Sequence, residues 1–130
     1  MELKDFIKKE KQKIFKDFTR EQLSNIKLIG DIKNQIIAIL RCIYDPEISV
    51  NIWDLGLIYD IDISLNKIVN IKMTLTSANC PVADVIVLEV KYRIMKVITD
   101  VTDVHIEIVW QPQWSKLMMS EEAKFTLDMM

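Results

Sequence analysis

The run Thr76-Ser77-Ala78-Asn79-Cys80-Pro81 is where residue types and spacing offer chemistry in this chain. An alternating segment, Val69-Asn70-Ile71-Lys72-Met73-Thr74-Leu75, precedes it, and a long apolar run follows. The pattern predicts a strand, a short turn carrying Cys80, and a helix entered through Pro81, a residue suited to the first helical position. A cysteine at such a junction meets unsatisfied backbone N–H groups and the positive end of a helix dipole, which favour the thiolate. The thiolate is the form that attacks electrophiles and binds soft metals. The opposing reading is a small buried hydrophobe, the commonest fate of a lone cysteine.

Other chemistry-bearing residues are sparse. His105, the single histidine, falls on the polar face of a predicted strand, beside Glu107 by alternation, and reads as part of a solvated pair. A cysteine–histidine hydrolase needs an imidazole within hydrogen-bond reach, and nothing in the pattern supplies one. Asp45-Pro46-Glu47 places two carboxylates around a proline after a helix. It reads as a turn, or as a pair reaching the Cys80 turn to orient it or bind metal. One thiolate with carboxylates is an incomplete shell for iron or zinc, which a second protomer or a small thiol would have to complete. Trp110-Gln111-Pro112-Gln113-Trp114 reads first as packing and otherwise as a recognition surface. Cys42, among apolar helical residues, reads as core.

The elements that must position these groups follow from periodicity. Residues 2–19 read as an amphipathic helix with Leu3, Phe6, Ile7, Ile14 and Phe18 on one stripe and lysines elsewhere. A segment from Leu23 to Ile29 follows, and Gly30 is the expected boundary between an N-terminal extension, 1–30, and a domain, 31–130. Asp31 is a good N-cap for a helix through Ile36, Ile37, Leu40 and Ile43, ended by Asp45-Pro46. A strand is predicted over 58–65, with Tyr59, Ile61, Ile63 and Leu65 on one face. Asn66-Lys67 is read as a two-residue hairpin loop, and a second strand runs 68–76 with Asn70, Lys72, Thr74 and Thr76 pointing away from the core. Residues 82–98 are rich in Val and Ile, yet their length favours a helix over a strand. A third strand is expected over 101–110, with Val104, Ile106, Ile108 and Trp110 on one face, then a short helix after Ser120-Glu121-Glu122. The sum is an α/β (α+β) two-layer sandwich of order α-β-β-α-β. It has a three-stranded sheet, extra N- and C-terminal helices, and a parallel pair across the crossover.

Composition bounds the rest. With 130 residues, half of them apolar and 28% charged, the chain is globular. No apolar run approaches the roughly 20 residues of a membrane span, so no stable membrane association is expected. Net charge is −2, which argues against nucleic-acid binding. Residues 1–30 carry a net +3, leaving −5 for the remainder. The two cysteines form no disulfide framework, and the N-terminus has no secretory pattern. A reducing cytoplasm is the expected setting.

Five separated motifs occur in order. They are Asp45-Pro46-Glu47-Ile48; Leu55-Gly56-Leu57-Ile58-Tyr59; Met73-Thr74-Leu75-Thr76 with Cys80-Pro81; Val101 and Val104 with Trp110-x-Pro-x-Trp114; and Met119-Ser120-Glu121-Glu122-Ala123. Together they resemble the metal–sulfur (iron–sulfur) cluster assembly family that includes SufT, PaaD and the eukaryotic cytosolic iron–sulfur targeting factor. The tail is most like SufT, and the match spans roughly residues 32–127. Asp100 stands where family members often have glycine.

The resemblance implies a factor that assembles or transfers iron–sulfur clusters for client proteins, with no turnover reaction of its own. It carries the family's reactive cysteine onto Cys80, its acidic motif onto Asp45 and Glu47, and its threonine onto Thr76. The cofactor-binding set is thus Cys80, Asp45, Glu47 and Thr76, with Cys80 the metal ligand. A bound iron or cluster would be bridged between two subunits, because one cysteine per chain falls short of four thiolates. Implied partners are assembly proteins, client apoproteins and a second copy of the chain. The rival reading is a metal-free adaptor docking clients through the tryptophan tail and the N-terminal helix. A thiol enzyme is the third and weakest reading.

Overall fold

The structure is a computed structural model that describes residues 18–45, 48–76 and 83–128. The expected N-terminal helix therefore lies outside the described residues, apart from Phe18 and Thr19. The first helix described, α1, is Arg20–Lys27. It begins where it does because Thr19 and Gln22 form a reciprocal capping box, satisfying two N–H groups that a helix start leaves open. Helix α2 is Ile32–Leu40, and Asp31 caps it by accepting from Asn34 N at 3.1 Å, as its residue type predicts.

Strands β1 (Ile58–Ile63), β2 (Ile68–Met73) and β3 (Asp103–Ile108) form one sheet in that order. β1 runs antiparallel to β2, and β3 parallel to it. Helix α3, Ala83–Val97, makes the crossover. A single 3-10 turn, Lys116–Met118, leads to the last helix, α4, Glu121–Asp128. The fold is α+β, as the periodicities imply. Burial settles the ambiguous Val/Ile segment as a helix: Ile86, Val90 and Ile94 enter the core, and this tertiary packing outweighs weak helix propensity. Those side chains meet Ile36, Ile39 and Leu40 of α2 and the inner sheet residues Ile61, Val69, Ile71, Met73 and Val104 in one cluster, which Ile26 of α1 also joins.

Several local expectations are corrected. The hairpin loop has three residues, not two: Lys67 N donates to Ser64 O, Ser64 N donates to Ile68 O, and Lys67 sits at φ 63°. This is a type I turn closed by a left-handed residue. It takes Leu65 out of the strand and leaves it fully exposed. A bulge between Ile58 and Asp60 breaks the alternation at Tyr59, so Ile58 rather than Tyr59 pairs with Met73 on β2. Strands β2 and β3 are shorter than predicted, which leaves Trp110 beyond β3 and 44% exposed. Thr74 is 1% exposed instead of pointing to solvent. The 98–101 turn closes by Val101 N donating to Ile98 O. Lys67 is the one non-glycine residue with positive φ among those described, so Asp100 fits where the family often has glycine.

Candidate functional site: one edge of the sheet

Strand directions decide which motifs can meet. β1 opposes β2 while β3 follows it, so the start of β1 and the ends of β2 and β3 lie along one edge. The carboxyl ends of parallel strands are also where open α/β sheets characteristically bind ligands.

The segment entering β1 is folded back on itself. Asp45 N donates to Val50 O at 3.2 Å, Ile52 N to Ile43 O at 2.8 Å, and Tyr44 pairs with Asn51. Asp45 is 7% exposed, and its Oδ1 accepts from Ile48 N at 3.1 Å, so the carboxylate caps the turn that it opens. Buried Asn51 repeats the device: Asp54 N donates to its Oδ1, and its Nδ2 donates to Asp54 Oδ2, both at 2.8 Å. Arg41 lies 3.6 Å from the same carboxylate. Leu57 N donates to Ile52 O, and Thr74 N donates to Leu57 O at 2.8 Å. These bonds tie the acidic turn, the Leu55-Gly56-Leu57 motif and the end of β2 into one frame.

The C-terminal tail clasps that frame. Tyr59 OH donates to Pro112 O at 2.6 Å, next to the cis Gln111–Pro112 bond, and Met118 Sδ lies 3.4 Å from the same hydroxyl. Trp114 Nε1 donates to Leu55 O at 2.7 Å, and Ser120 N to Asp54 O at 2.8 Å. Ser120 Oγ accepts from Ala123 N to cap α4, while Met119 and Ala123 are buried. Gly56 sits at φ +78°, and a Cβ there would collide with the Met118 carbonyl. The glycine is therefore needed for both its backbone conformation and the close approach of the tail. The packing reading of the tryptophan tail holds for Trp114, whereas Trp110 stays exposed.

Of the residues expected to act, Asp45 and Thr76 lie at this edge, Thr76 half-buried just beyond β2. Glu47 and Cys80 lie outside the described residues. Asn51, Asp54, Tyr59 and Thr74 were not singled out from sequence. Asn-x-x-Asp is a capping pattern that a turn-minded reading could have caught, whereas Tyr59 and Thr74 are marked only by lying within the Leu55–Tyr59 and Met73–Thr76 motifs.

The competing candidates are accounted for elsewhere. His105 pairs with Asp103 at 3.0 Å rather than with Glu107, on an exposed surface. Hydrogen bonds to the Asp103 carboxylate, first from Val104 N and then from His105, hold its pKa below the usual aspartate value. Cys42 is half-buried, with Gln22 Nε2 3.9 Å from its sulfur. Burial raises its thiol pKa, opposed by the charge of Arg93, so it stays a neutral thiol. No group of three or more metal-ligating side chains occurs among the described residues.

The fold and this edge define a class, and comparison with known proteins gives the same class. The chain belongs to the iron–sulfur cluster assembly protein family, whose model matches residues 33–108, from α2 to the end of β3. Within it the chain is SufT-like. It is 45% identical over 95 residues to an Fe-S protein maturation auxiliary factor of Porphyromonas gingivalis, covering 73% of this chain and 90% of that one. It is 38% identical to the Fe-S protein maturation auxiliary factor SufT of Staphylococcus aureus, covering 65% of this chain and 96% of the relative. A crystal structure of a DUF59 domain from Bacillus anthracis superposes with a TM-score of 0.74 at 38% identity, covering 76% and 93% of the two chains.

Proposed function

We propose that this chain serves iron–sulfur protein maturation as a cluster assembly or transfer factor, with Cys80 the thiolate ligand for the iron or cluster that it hands on. One observation carries the reading: the Asp45 turn, the Leu55-Gly56-Leu57 motif, the Trp114–Ser120 tail and Thr76 beyond β2 are brought to one edge. Cys80 stands four residues beyond Thr76, so connectivity alone keeps their Cα atoms within about 14 Å. In this reading Asp45 and Glu47 line the same pocket, and Thr76 supports the Cys80 turn by hydrogen bonding. The names of the relatives agree with such an auxiliary role.

The donor set fits a cargo that is held and passed on. Asp45 already accepts from Ile48 N, and one thiolate with one or two carboxylates is about half of the shell that iron–sulfur clusters use. Another molecule completes it: a second copy of the chain, an assembly protein or a client apoprotein. The protein carries out no turnover reaction and works in the cytoplasm. No helix among the described residues is long and apolar enough to cross a membrane. In this reading residues 1–30 are an extension of the 31–130 domain, anchored to it where Ile26 of α1 joins the core.

The test is anaerobic reconstitution with ferrous iron and sulfide. Wild type gains cluster absorbance and Cys80→Ser loses it. Wild type that takes up no iron, together with a Cys80→Ser variant that complements a deletion strain, sinks the cysteine role. A metal-free adaptor is the second reading, favoured by Trp110, Leu117 and Phe125 standing exposed on the tail. It requires client pull-down to survive Cys80→Ser and to fail on removal of residues 110–130 or 1–30.

A further inference from the structure

Helix α3 carries apolar side chains on two opposite faces. Ile86, Val90 and Ile94 enter the core, and Val97 packs against it. Val85, Leu88, Tyr92 and Met95 follow one another at intervals of three, four and three residues, which lines them up in a single stripe along a helix. At about 3.6 residues per turn this stripe points away from the core face. Val85, Leu88 and Tyr92 are half-buried, and Met95 is 36% exposed. Yet none of the four belongs to the core or to the side chains packed on it among the described residues. The outer face of a surface helix is ordinarily polar, so an apolar stripe there calls for a cover. The chain itself arrives beside it. Phe18 is the first described residue; it packs on the core, and the Arg93 guanidinium lies 4.5 Å from its ring centroid. Arg93 Nη2 is 3.5 Å from Glu89 Oε1, and both side chains are largely buried. Arg93 follows Tyr92 directly and so flanks the stripe. Residues 1–17 therefore run back from its rim. Their sequence reads as an amphipathic helix, with Leu3, Phe6, Ile7 and Ile14 on the same side as Phe18. As a helix, residues 2–17 measure about 24 Å, and the path from Arg93 back to Val85 is about 12 Å, so the segment is long enough to pass over the stripe.

We infer that the outer stripe of α3 is the docking face for residues 2–17 of the same chain, with the Phe18–Arg93 contact as the anchor from which the segment folds over. Attachment at Phe18 holds the segment at an effective concentration on the order of millimolar, which a second copy reaches only in concentrated solution. Each apolar stripe then covers the other, and the lysines of the segment face water. The apolar side of the segment is thereby withheld from clients and from membranes until something displaces it. This docking stands whatever Cys80 holds.

Photo-crosslinking in the full chain tests it. Tyr92→p-benzoylphenylalanine and, separately, Met95→p-benzoylphenylalanine place on the stripe a ketone that, once excited, bonds to C–H groups in contact. Met95 is the more exposed of the two, so its variant serves if the first does not fold. Unlabelled and isotope-labelled chains are mixed in equal amounts, incubated and irradiated, and peptide mass spectrometry assigns the products. The expected product joins the crosslinker to a peptide within residues 1–17 that carries the same label. Mixed-label products mean that a second copy covers the stripe, and they overturn the inference. Absence of any product with residues 1–17 at both positions overturns it as well. A second comparison asks whether the apolar stripe of the segment makes the contact. Ile14→Asp, on that stripe, should lower the same-label yield roughly tenfold, because a carboxylate resists burial against apolar side chains. Lys9→Asp, on the opposite side by periodicity, should leave the yield unchanged. Equal yields in these two variants overturn the inference.

Discussion

The edge and the open face of the same sheet are built from opposite materials. At the edge, Asp45, Asn51 and Thr74 are buried, and Asp45 and Asn51 are bonded to nearby backbone or side chains. On the open face, Asp60, Lys72 and Glu107 stand in one cross-strand row, and Asp62, Asn70 and His105 in the next, all exposed. By residue type the face looks chemical: it holds the single histidine and the carboxylates of Asp60, Asp62 and Glu107. Yet water screens exposed charges and leaves such pairs worth little. At the edge, dry polar groups fix positions, and changes there are costly. Counting titratable side chains would favour the face, whereas the buried polar groups lie at the edge.

The sharpest way to break this contrast is Gly56→Ala. It combines a left-handed backbone with a collision against the Met118 carbonyl, and should cost about 2–5 kcal/mol, read by chemical denaturation. Near wild-type stability would mean that the tail does not clasp the edge. Trp114→Phe keeps the apolar packing but removes the donor to Leu55 O. The expected loss is about 1–2 kcal/mol, and no loss would show that the indole bond is idle.

The pH dependence sharpens the contrast between buried and exposed carboxylates. Glu89 lies 3.5 Å from Arg93 on α3, and both are largely buried. Burial raises the Glu89 pKa, with the Arg93 charge opposing. The folded state therefore holds this proton more tightly than the unfolded chain does, so stability is lost as pH rises from the ordinary glutamate value through the folded pKa. Asp103 has the opposite sign: its pKa is lowered, so its contribution is present above the ordinary aspartate value and fades as pH falls through the folded pKa. Glu89→Gln should flatten the first trend and leave the second, as measured by melting temperature from pH 3 to 7. A Glu89→Gln protein that retains the full fall above the glutamate range would contradict the assignment. At the small end, Glu107→Gln on the open face should change stability by no more than about 0.5 kcal/mol. A larger loss would mean that the face is not merely solvated.

Much of the fold could be read from periodicity, and the reasons for the misses are specific. The Asp31 cap, the three strands and the crossover helix follow from short-range pattern. Lys67 defeated the hairpin reading because a lysine in the left-handed region carries no compositional signal of the kind glycine or asparagine gives. The bulge beside Tyr59 has no local signature, and the Tyr59 hydroxyl makes its contact with Pro112, 53 residues away. The buried, unpaired state of Thr74 is likewise a property of the assembled edge and has no local signature. The acidic motif makes Asp45 a candidate in the sequence. That its carboxylate caps the 45–48 turn became visible only with the backbone in place.

The claim at the centre of this account is that function resides at the edge and not on the open face. Iron and acid-labile sulfide per chain, measured on protein purified without oxygen, address it most directly when Cys80→Ser and His105→Ala are compared with wild type. The account expects wild type and His105→Ala to carry both in equal amounts and Cys80→Ser to carry neither. Iron and sulfide that persist in Cys80→Ser, or that disappear in His105→Ala, would contradict it.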